Sequence, residues 1–186
     1  MTSRQCEIAA ESYSAYLLAR TGHDVLIQYG ANQPQYDLVA VKGDQISTVS
    51  VKGSQDGGWM LAVKYVKAGT SYHAAIDKWL EHQRMDTVYL FVQFKAMSLG
   101  EPPRAYVAVP PEIAVHMKSQ CLGRGHGSLQ EDWQRDHAKS QYDHKIPPDW
   151  VFTAERFAEL QVAISAKRAS LGARGDLPAP GRAVRK

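Results

Sequence analysis

A short β-hairpin in the first third of the chain constrains the fold more than any other feature. Two β-rich runs flank Gly43-Asp44, a dipeptide that suits a tight two-residue turn. Counting outward from this turn puts Asp37 opposite Ser50 and makes Lys52 its diagonal neighbour on the same face, roughly 7 Å away. The sequence therefore predicts a carboxylate and an ammonium group side by side on a sheet, where charges are costly unless they are used.

A second carboxylate lies on the helix that precedes the hairpin. The sequence predicts this helix from about Ser3 to Arg20, with Gly22 as its stop signal. Glu11 falls inside its best apolar stripe, at helical spacing from the other members. The stripe consists of Ile8, Ala15, Leu18 and Ala19. A glutamate on a packing face needs a partner, and the alternative is a residue at the edge of the stripe that pairs with a lysine or caps a loop.

The order of these residues resembles that of the PD-(D/E)xK nuclease superfamily, especially its Holliday-junction-resolvase-like and Mrr-like restriction endonuclease members. The matching residues are Glu11 on the helix, Asp37 on the hairpin and Ser50-Val51-Lys52 on the next strand, within residues 5–110. The resemblance implies an α/β fold with a restriction-endonuclease-like mixed central sheet flanked by helices. It also implies a Mg²⁺- or Mn²⁺-dependent endonuclease that hydrolyses phosphodiester bonds in DNA, of restriction, repair or mobile-element type.

The same resemblance assigns roles to individual residues. Glu11, Asp37 and the Val51 carbonyl oxygen would hold Mg²⁺ or Mn²⁺. Lys52 would orient the attacking water and stabilise developing negative charge, and Gln55 would contact the scissile phosphate or that water. The alternative for Lys52 is an ion pair with Asp37 that only closes the end of the strand.

One residue departs from the superfamily pattern, because Ser50 stands where glutamate or glutamine is expected. A carboxylate there would be a direct ligand for a hard cation, whereas serine offers a shorter and neutral oxygen. The departure leaves two alternatives open. The chain is either an active nuclease or a catalytically weakened nuclease-fold protein that binds nucleic acid or a partner protein in a phage-defence or mobile-element system.

A small cluster of basic residues follows the predicted catalytic strand. Lys64, Lys67 and His73 lie in a segment that also contains hydroxyl groups and Gly69. Two lysines near a glycine can contact the phosphates of a nucleic acid. We predict that these three residues bind DNA, the alternative being a solvated loop.

The rest of the pattern predicts alternating strands and helices. Strands are predicted at 24–30, 61–66, 87–94 and 104–109, and helices at 72–84, 110–120 and 153–171. The step from the hairpin through a helix to the buried strand 87–94 predicts a βαβ unit and therefore a mixed sheet. The final helix begins after Thr153 and has an apolar face of Phe157, Leu160 and Ile164. The segment 121–145 has no clear period, and its histidines, His126, His137 and His144, are predicted to be scattered over the surface because their spacing matches no zinc site.

Positive charge is concentrated at the C-terminal end of the chain. The net charge is +3, but residues 167–186 hold six basic residues against one acidic residue, which leaves −2 for the remaining 166. We predict a nuclease-like core at 1–120, an extension at 121–171 whose final helix packs on the core, and a disordered basic tail at 172–186.

The lack of a transmembrane run or signal peptide in this sequence indicates the cellular compartment in which we expect the protein. No apolar run reaches transmembrane length, and the N-terminal residues lack the apolar core of a signal peptide. Cys6 and Cys121, without metal-like spacing, indicate free thiols. We therefore expect a cytoplasmic protein without membrane contact, and the resemblance also allows a homodimer.

Overall fold

A mixed five-stranded sheet forms the centre of the fold in the computed structural model, which describes residues 1–28, 35–137 and 140–172. In chain order the helices and strands are α1 (Ser3–Arg20), β1 (Asp24–Ile27), β2 (Leu38–Lys42), β3 (Gln45–Ser54), β4 (Gly58–Trp59), α2 (Tyr72–Glu81), β5 (Thr87–Gln93), β6 (Arg104–Ala108), α3 (Pro110–Ser119), β7 (Leu129–Gln130), β8 (Asp132–His137), β9 (Ser140–Lys145) and α4 (Ala154–Gly172).

The strand order is β1-β2-β3-β5-β6, and only the β3–β5 pair is parallel. This parallel pair is connected through α2, as the predicted βαβ unit requires. The prediction of an α/β protein with a mixed central sheet flanked by helices is therefore confirmed at the level of fold class.

The predicted hairpin register is confirmed from the turn to the Leu38–Val49 pair, but the predicted pairing of Asp37 with Ser50 is wrong, because the Asp37 N–H donates to the Val49 carbonyl oxygen instead. Lys42 pairs with Gln45 across the Gly43-Asp44 turn, and the ladder continues outward to Leu38 opposite Val49. Gly43 has φ 58°, in the left-handed region that glycine occupies without strain. Because side chains alternate along a strand, this register decides which face each residue of β3 presents.

Two layers of helices cover the two faces of the sheet. On one face, Ala10 and Leu18 of α1 and Phe157, Leu160 and Ile164 of α4 pack against buried aliphatic residues of β2, β3, β5 and β6. On the other face, α2 and α3 pack against Tyr89, Phe91 and Tyr106. The predicted apolar face of the last helix is confirmed, and the Thr153 hydroxyl caps that helix by accepting from the Arg156 N–H at 3.0 Å.

The predicted apolar stripe of α1 is wrong in part. Ile8 and Ala19 are exposed, and the buried positions of α1 are Cys6, Ala10, Ser14 and Leu18. These four positions repeat every four residues and are mostly small. Small residues on this face allow α1 to approach β3 closely, which periodicity scored on hydrophobicity alone does not reveal.

Three further predictions need correction. Residues 61–66 form no strand; instead a 3-10 turn spans Val63–Tyr65. The segment 121–145 is regular, since β7 pairs with β4 and β8 pairs with β9. His144 is buried and its Nε2 accepts from the Cys121 N–H at 2.8 Å, so it is not a surface histidine.

Some predictions fall partly outside the described residues. These include the end of the first strand at 29–30 and the basic tail from 173 onward. Among the helices that the structure describes, none combines the length and apolar character needed to cross a membrane.

Candidate active site

Asp37 lies where the β2 ladder ends. The ladder pairs Leu38 with Val49, yet the Asp37 N–H also donates to the Val49 carbonyl oxygen, at 2.9 Å. On its other side, the Asp37 carbonyl oxygen accepts from the Gln28 N–H at 3.0 Å. Irregularities of this kind re-aim a side chain at the end of a pairing. The backbone of Asp37 is thus held from both neighbouring strands while its carboxylate reaches across to β3.

Three successive residues of β3 converge on one oxygen of that carboxylate. Oδ2 of Asp37 accepts from the Val51 N–H at 2.6 Å and from the Ser50 hydroxyl at 3.3 Å. The Lys52 ammonium nitrogen lies 3.9 Å from the same oxygen. Hydrogen bonds to a charged acceptor are stronger than neutral ones, so this arrangement fixes the carboxylate. Among the described residues, no hydrogen bond is donated to Oδ1, which leaves this oxygen for another ligand.

Lys52 is partly exposed beside this carboxylate. The side chain of Lys52 is 40% exposed and that of Asp37 is 18% exposed. The Lys52 carbonyl oxygen accepts from Nε1 of Trp59 at 2.8 Å, and Trp59 is buried in the core. The backbone of Lys52 is therefore anchored, whereas its ammonium group remains accessible to a ligand.

Glu11 is brought to the site by the close packing of α1 on β3. A Cβ atom at Gly53 would lie 2.9 Å from Cβ of Ala10 and 2.9 Å from the Cys6 carbonyl oxygen, so only glycine permits this approach. Burial raises the pKa of Glu11, and the negative charge of Asp37 raises it further, while Lys52 acts in the opposite direction. Glu11 is half-buried and within electrostatic reach of both residues.

Val51 contributes a backbone oxygen to the same place. Within an extended strand, the N–H and C=O of one residue point toward the same edge. Because the Val51 N–H donates to Asp37, its carbonyl oxygen also points toward that edge of β3. β2 starts at Leu38 and does not extend along this part of β3.

These groups fit a hydrated hard cation. The available donors are the carboxylates of Glu11 and Asp37 and the carbonyl of Val51, all of them oxygens, which Mg²⁺ and Mn²⁺ prefer. Within the described ranges, no cluster of three or more His, Cys, Asp or Glu residues could hold a metal. Mg²⁺ commonly keeps several waters and uses one or two carboxylates, so a two-carboxylate site suffices for it.

Gln55 is not brought to the Asp37 carboxylate. It lies beyond the end of β3, is exposed, and its Nε2 donates to the Met1 carbonyl oxygen at 2.7 Å. The three residues from Lys52 to Gln55 span roughly 10 Å of extended chain. In this structure Gln55 ties the loop after β3 to the start of the chain.

The predicted basic cluster is divided between solvent and structural contacts. Lys64 and Lys67 are exposed, and Nζ of Lys64 lies 5.0 Å from the centre of the Tyr65 ring. Nε2 of His73 pairs with the Gly123 carbonyl oxygen at 2.8 Å and so joins α2 to the loop before β7. No described contact links these three residues to Asp37 or Lys52.

No protein-family model matches the chain, and no curated protein is significantly similar to it. The groups around Asp37 are therefore the features of the protein that indicate its chemistry.

Sequence reasoning missed a tyrosine beside Ser50. Tyr89 is the partner of Ser50 in the parallel β3–β5 register, and its hydroxyl donates to Oε1 of Gln83. Burial raises the pKa of Tyr89 to about 12, with a further rise from the charge of Asp37 and an opposing hydrogen bond from Ser50. A neutral phenol thus lies next to Ser50, on the adjacent strand. Only the pairing of distant strands places it there, and no local sequence signal predicts it.

Proposed function

We propose that this protein is a Mg²⁺-dependent DNA endonuclease that hydrolyses phosphodiester bonds. The observation that supports it most is the convergence of Ser50, Val51 and Lys52 on one oxygen of Asp37, with Glu11 within electrostatic reach. A stabilising surface ion pair would not require a fixed carboxylate with one oxygen left over, nor a second, partly buried carboxylate nearby.

Each residue has a definable role in such a reaction. Oδ1 of Asp37, the Glu11 carboxylate and the Val51 carbonyl oxygen would hold the cation. When bound, Mg²⁺ neutralises charge on the phosphate and lowers the pKa of a coordinated water. The Lys52 ammonium group would orient the attacking water and stabilise the negative charge that develops on the phosphoryl oxygens. Ser50 and the Val51 N–H hold the Asp37 carboxylate in place, which removes the need to order it during the reaction.

A second function is favoured by Ser50 itself. Its hydroxyl donates to Asp37 and so stabilises the carboxylate without any cation. A third carboxylate, by contrast, would require a cation to relieve its repulsion from Asp37 and Glu11. The same fold could therefore bind nucleic acid, or a partner protein of a phage-defence or mobile-element system, without cutting. Salt-sensitive DNA binding without cleavage would select nucleic-acid binding.

The deciding experiment incubates supercoiled, linear and branched DNA with the wild type in Mg²⁺ or Mn²⁺. We expect metal-dependent nicking, and a loss of about 10²-fold or more in Lys52→Ala, since removal of one charge-stabilising group costs that much in other enzymes. Asp37→Asn should lose cleavage while keeping its fold, as judged by circular dichroism and urea unfolding.

The matched control is Lys78→Ala, because Lys78 forms an exposed ion pair with Glu81 on α2, away from the site. This variant should cut like the wild type. Normal cleavage by Asp37→Asn would show that the site is assigned wrongly. Sedimentation velocity of the same wild-type sample tests whether the protein forms the homodimer that the resemblance allows.

A further inference from the structure

A cavity of about 490 Å³ lies at the edge of the sheet formed by β6. Its rim carries Lys95 and Arg104, and one wall is formed by the apolar residues Ile146, Pro148 and Val151. This volume is within the roughly 300–1,000 Å³ range typical of small-molecule sites. The cavity therefore combines basic groups with an apolar surface in a space of ligand size.

Arg104 is held in a fixed position at this rim. Glu131, only 9% exposed, accepts from Nε of Arg104 at 2.7 Å and from Nη2 at 2.9 Å, and it also accepts from the Tyr106 hydroxyl at 2.7 Å. Nη2 also donates to the Lys95 carbonyl oxygen, at 3.0 Å. Within the described residues, Nη1 makes no hydrogen bond. A preorganised guanidinium with a remaining donor suits recognition of an oxyanion.

Lys95 presents a second cation beside it. Its ammonium nitrogen would lie 3.0 Å from a Cβ atom at Gly57, whose φ of 99° is in the left-handed region that favours glycine. The loop after β3 thus approaches Lys95 closely, through a glycine. In the part of the chain that the structure describes, no acidic side chain forms an ion pair with Lys95.

The remaining charges at the rim balance one another. Asp132 lies directly opposite Lys145 in the β8–β9 ladder, so the formal charges of these two residues cancel. Since Glu131 is already bonded to Arg104 and Tyr106, the positive charge of Lys95 is the excess charge at the cavity mouth.

We propose that this cavity binds a nucleotide, with its phosphate on Lys95 and Arg104 and its sugar or base against the wall of Ile146, Pro148 and Val151. This inference goes beyond the proposed cleavage and does not depend on it. The nucleotide is either a free mononucleotide or an unpaired nucleotide of a strand, because a base paired in a duplex is not available to a cavity.

The position of the cavity is compatible with a bound strand. The paired rows Lys52–Phe91–Tyr106 and Ser54–Gln93–Arg104 place Arg104 on the same face of the sheet as Lys52. Two strand spacings across and two residues along separate their Cα atoms by about 12 Å. A strand rises about 3.4 Å per nucleotide in a duplex and more when it is unpaired and extended, so this distance corresponds to at most about three to four nucleotide steps.

Isothermal titration calorimetry in EDTA and without phosphate buffer tests the proposal. Four probes are used: thymidine 5′-monophosphate, thymidine, inorganic phosphate and a 5′-phosphorylated single-stranded oligonucleotide. We expect thymidine 5′-monophosphate to bind more tightly than thymidine or phosphate, because only the nucleotide reaches both the basic rim and the apolar wall. A tighter complex with the oligonucleotide identifies a strand as the ligand, and equal affinity identifies the free nucleotide.

Variants of Lys95 connect binding to the cavity. Lys95→Ala should weaken nucleotide binding by about tenfold, as expected for one charged hydrogen bond, and Lys95→Arg should retain it. Lys78→Ala is the matched control and should bind like the wild type, and thermal melting checks that each variant is folded. No binding of either nucleotide probe, or a Lys95→Ala variant that binds like the wild type, would overturn the site. Because no cleavage is measured, either result leaves the nuclease proposal untouched.

Discussion

The approach of α1 to β3 at Gly53 provides the sharpest test of how the site is built. In Gly53→Ala, the new Cβ atom would lie 2.9 Å from Cβ of Ala10 and from the Cys6 carbonyl oxygen, and 3.0 Å from Sγ of Cys6. Ordinary carbon contacts lie at about 3.5–4.0 Å, so α1 would have to move away by roughly 0.6–1 Å. One of the obstacles is backbone, which cannot turn aside as a flexible side chain can.

Two effects should follow from that displacement. Overpacking of this kind costs about 1–3 kcal/mol of the free energy of unfolding. The stiffer unfolded chain of the alanine variant offsets about 0.4–1 kcal/mol of this, so we expect a net loss of about 1–2 kcal/mol. Because α1 carries Glu11, the same movement separates Glu11 from Asp37. A misplacement of about 1 Å can cost about 10²-fold in rate, so cleavage should fall more than stability suggests.

The assay is urea unfolding of wild type and variant, followed by cleavage measured well below the unfolding midpoint. Gly58→Ala is the control, because its nearest contact would be Oε1 at the flexible end of the Gln130 side chain, at 2.7 Å. That variant should lose less stability than Gly53→Ala and should leave cleavage unchanged. A Gly53→Ala protein with the stability of the wild type would refute the close packing on which the position of Glu11 depends.

Three other perturbations test the charges and hydrogen bonds. Because the pKa of Glu11 is raised in the folded protein, ionisation of its carboxylate opposes folding, and stability should rise as the pH falls through that pKa toward the ordinary value of 4.5. Glu11→Gln, measured by urea unfolding across the range from about pH 4.5 to pH 7, should be more stable than the wild type at pH 7 and should lose this dependence. Ser50→Glu should lower the stability of the metal-free protein, since it adds a negative charge beside Asp37. Addition of Mn²⁺ should then raise the melting temperature of this variant more than that of the wild type. An equal rise in both proteins would show that residue 50 does not lie next to a bound cation. Glu131→Ala should cost about 2 kcal/mol in urea unfolding, because it removes the buried carboxylate that accepts from both the exposed Arg104 guanidinium and the buried Tyr106 hydroxyl. Tyr106→Phe should cost about 1 kcal/mol, and an equally small loss in Glu131→Ala would argue against this shared carboxylate.

The hairpin was predictable because its information is local. A two-residue turn fixes the pairing as far as Leu38 and Val49, so counting residues brings Asp37 near Lys52, although the contacts of its carboxylate lie beyond the end of the ladder. The apolar face of α4 was predictable for a similar reason, since Phe157, Leu160 and Ile164 repeat at helical spacing. In both cases a short-range period and a hydrophobic pattern agree.

Other features depend on contacts between distant segments. The stripe of α1 was misjudged because its buried residues are small, and their burial depends on the missing side chain of Gly53 in a different element. The regular structure of 121–145 was missed because β7 pairs with a two-residue strand about seventy positions earlier. His144 is buried and its ring accepts from the Cys121 N–H, a contact between segments more than twenty residues apart that no spacing rule predicts.

The sequence alone determined the alternation of strands and helices, the hairpin register and the residues available for chemistry. Tertiary structure decided which oxygen of Asp37 is occupied, how near Glu11 comes to it, and that Gln55 is held elsewhere by Met1. It also created the cavity at Lys95 and Arg104 by joining four separate segments. The physical reason is that turn chemistry and side-chain periodicity act over a few residues, whereas the distance between two charged groups depends on how whole elements pack.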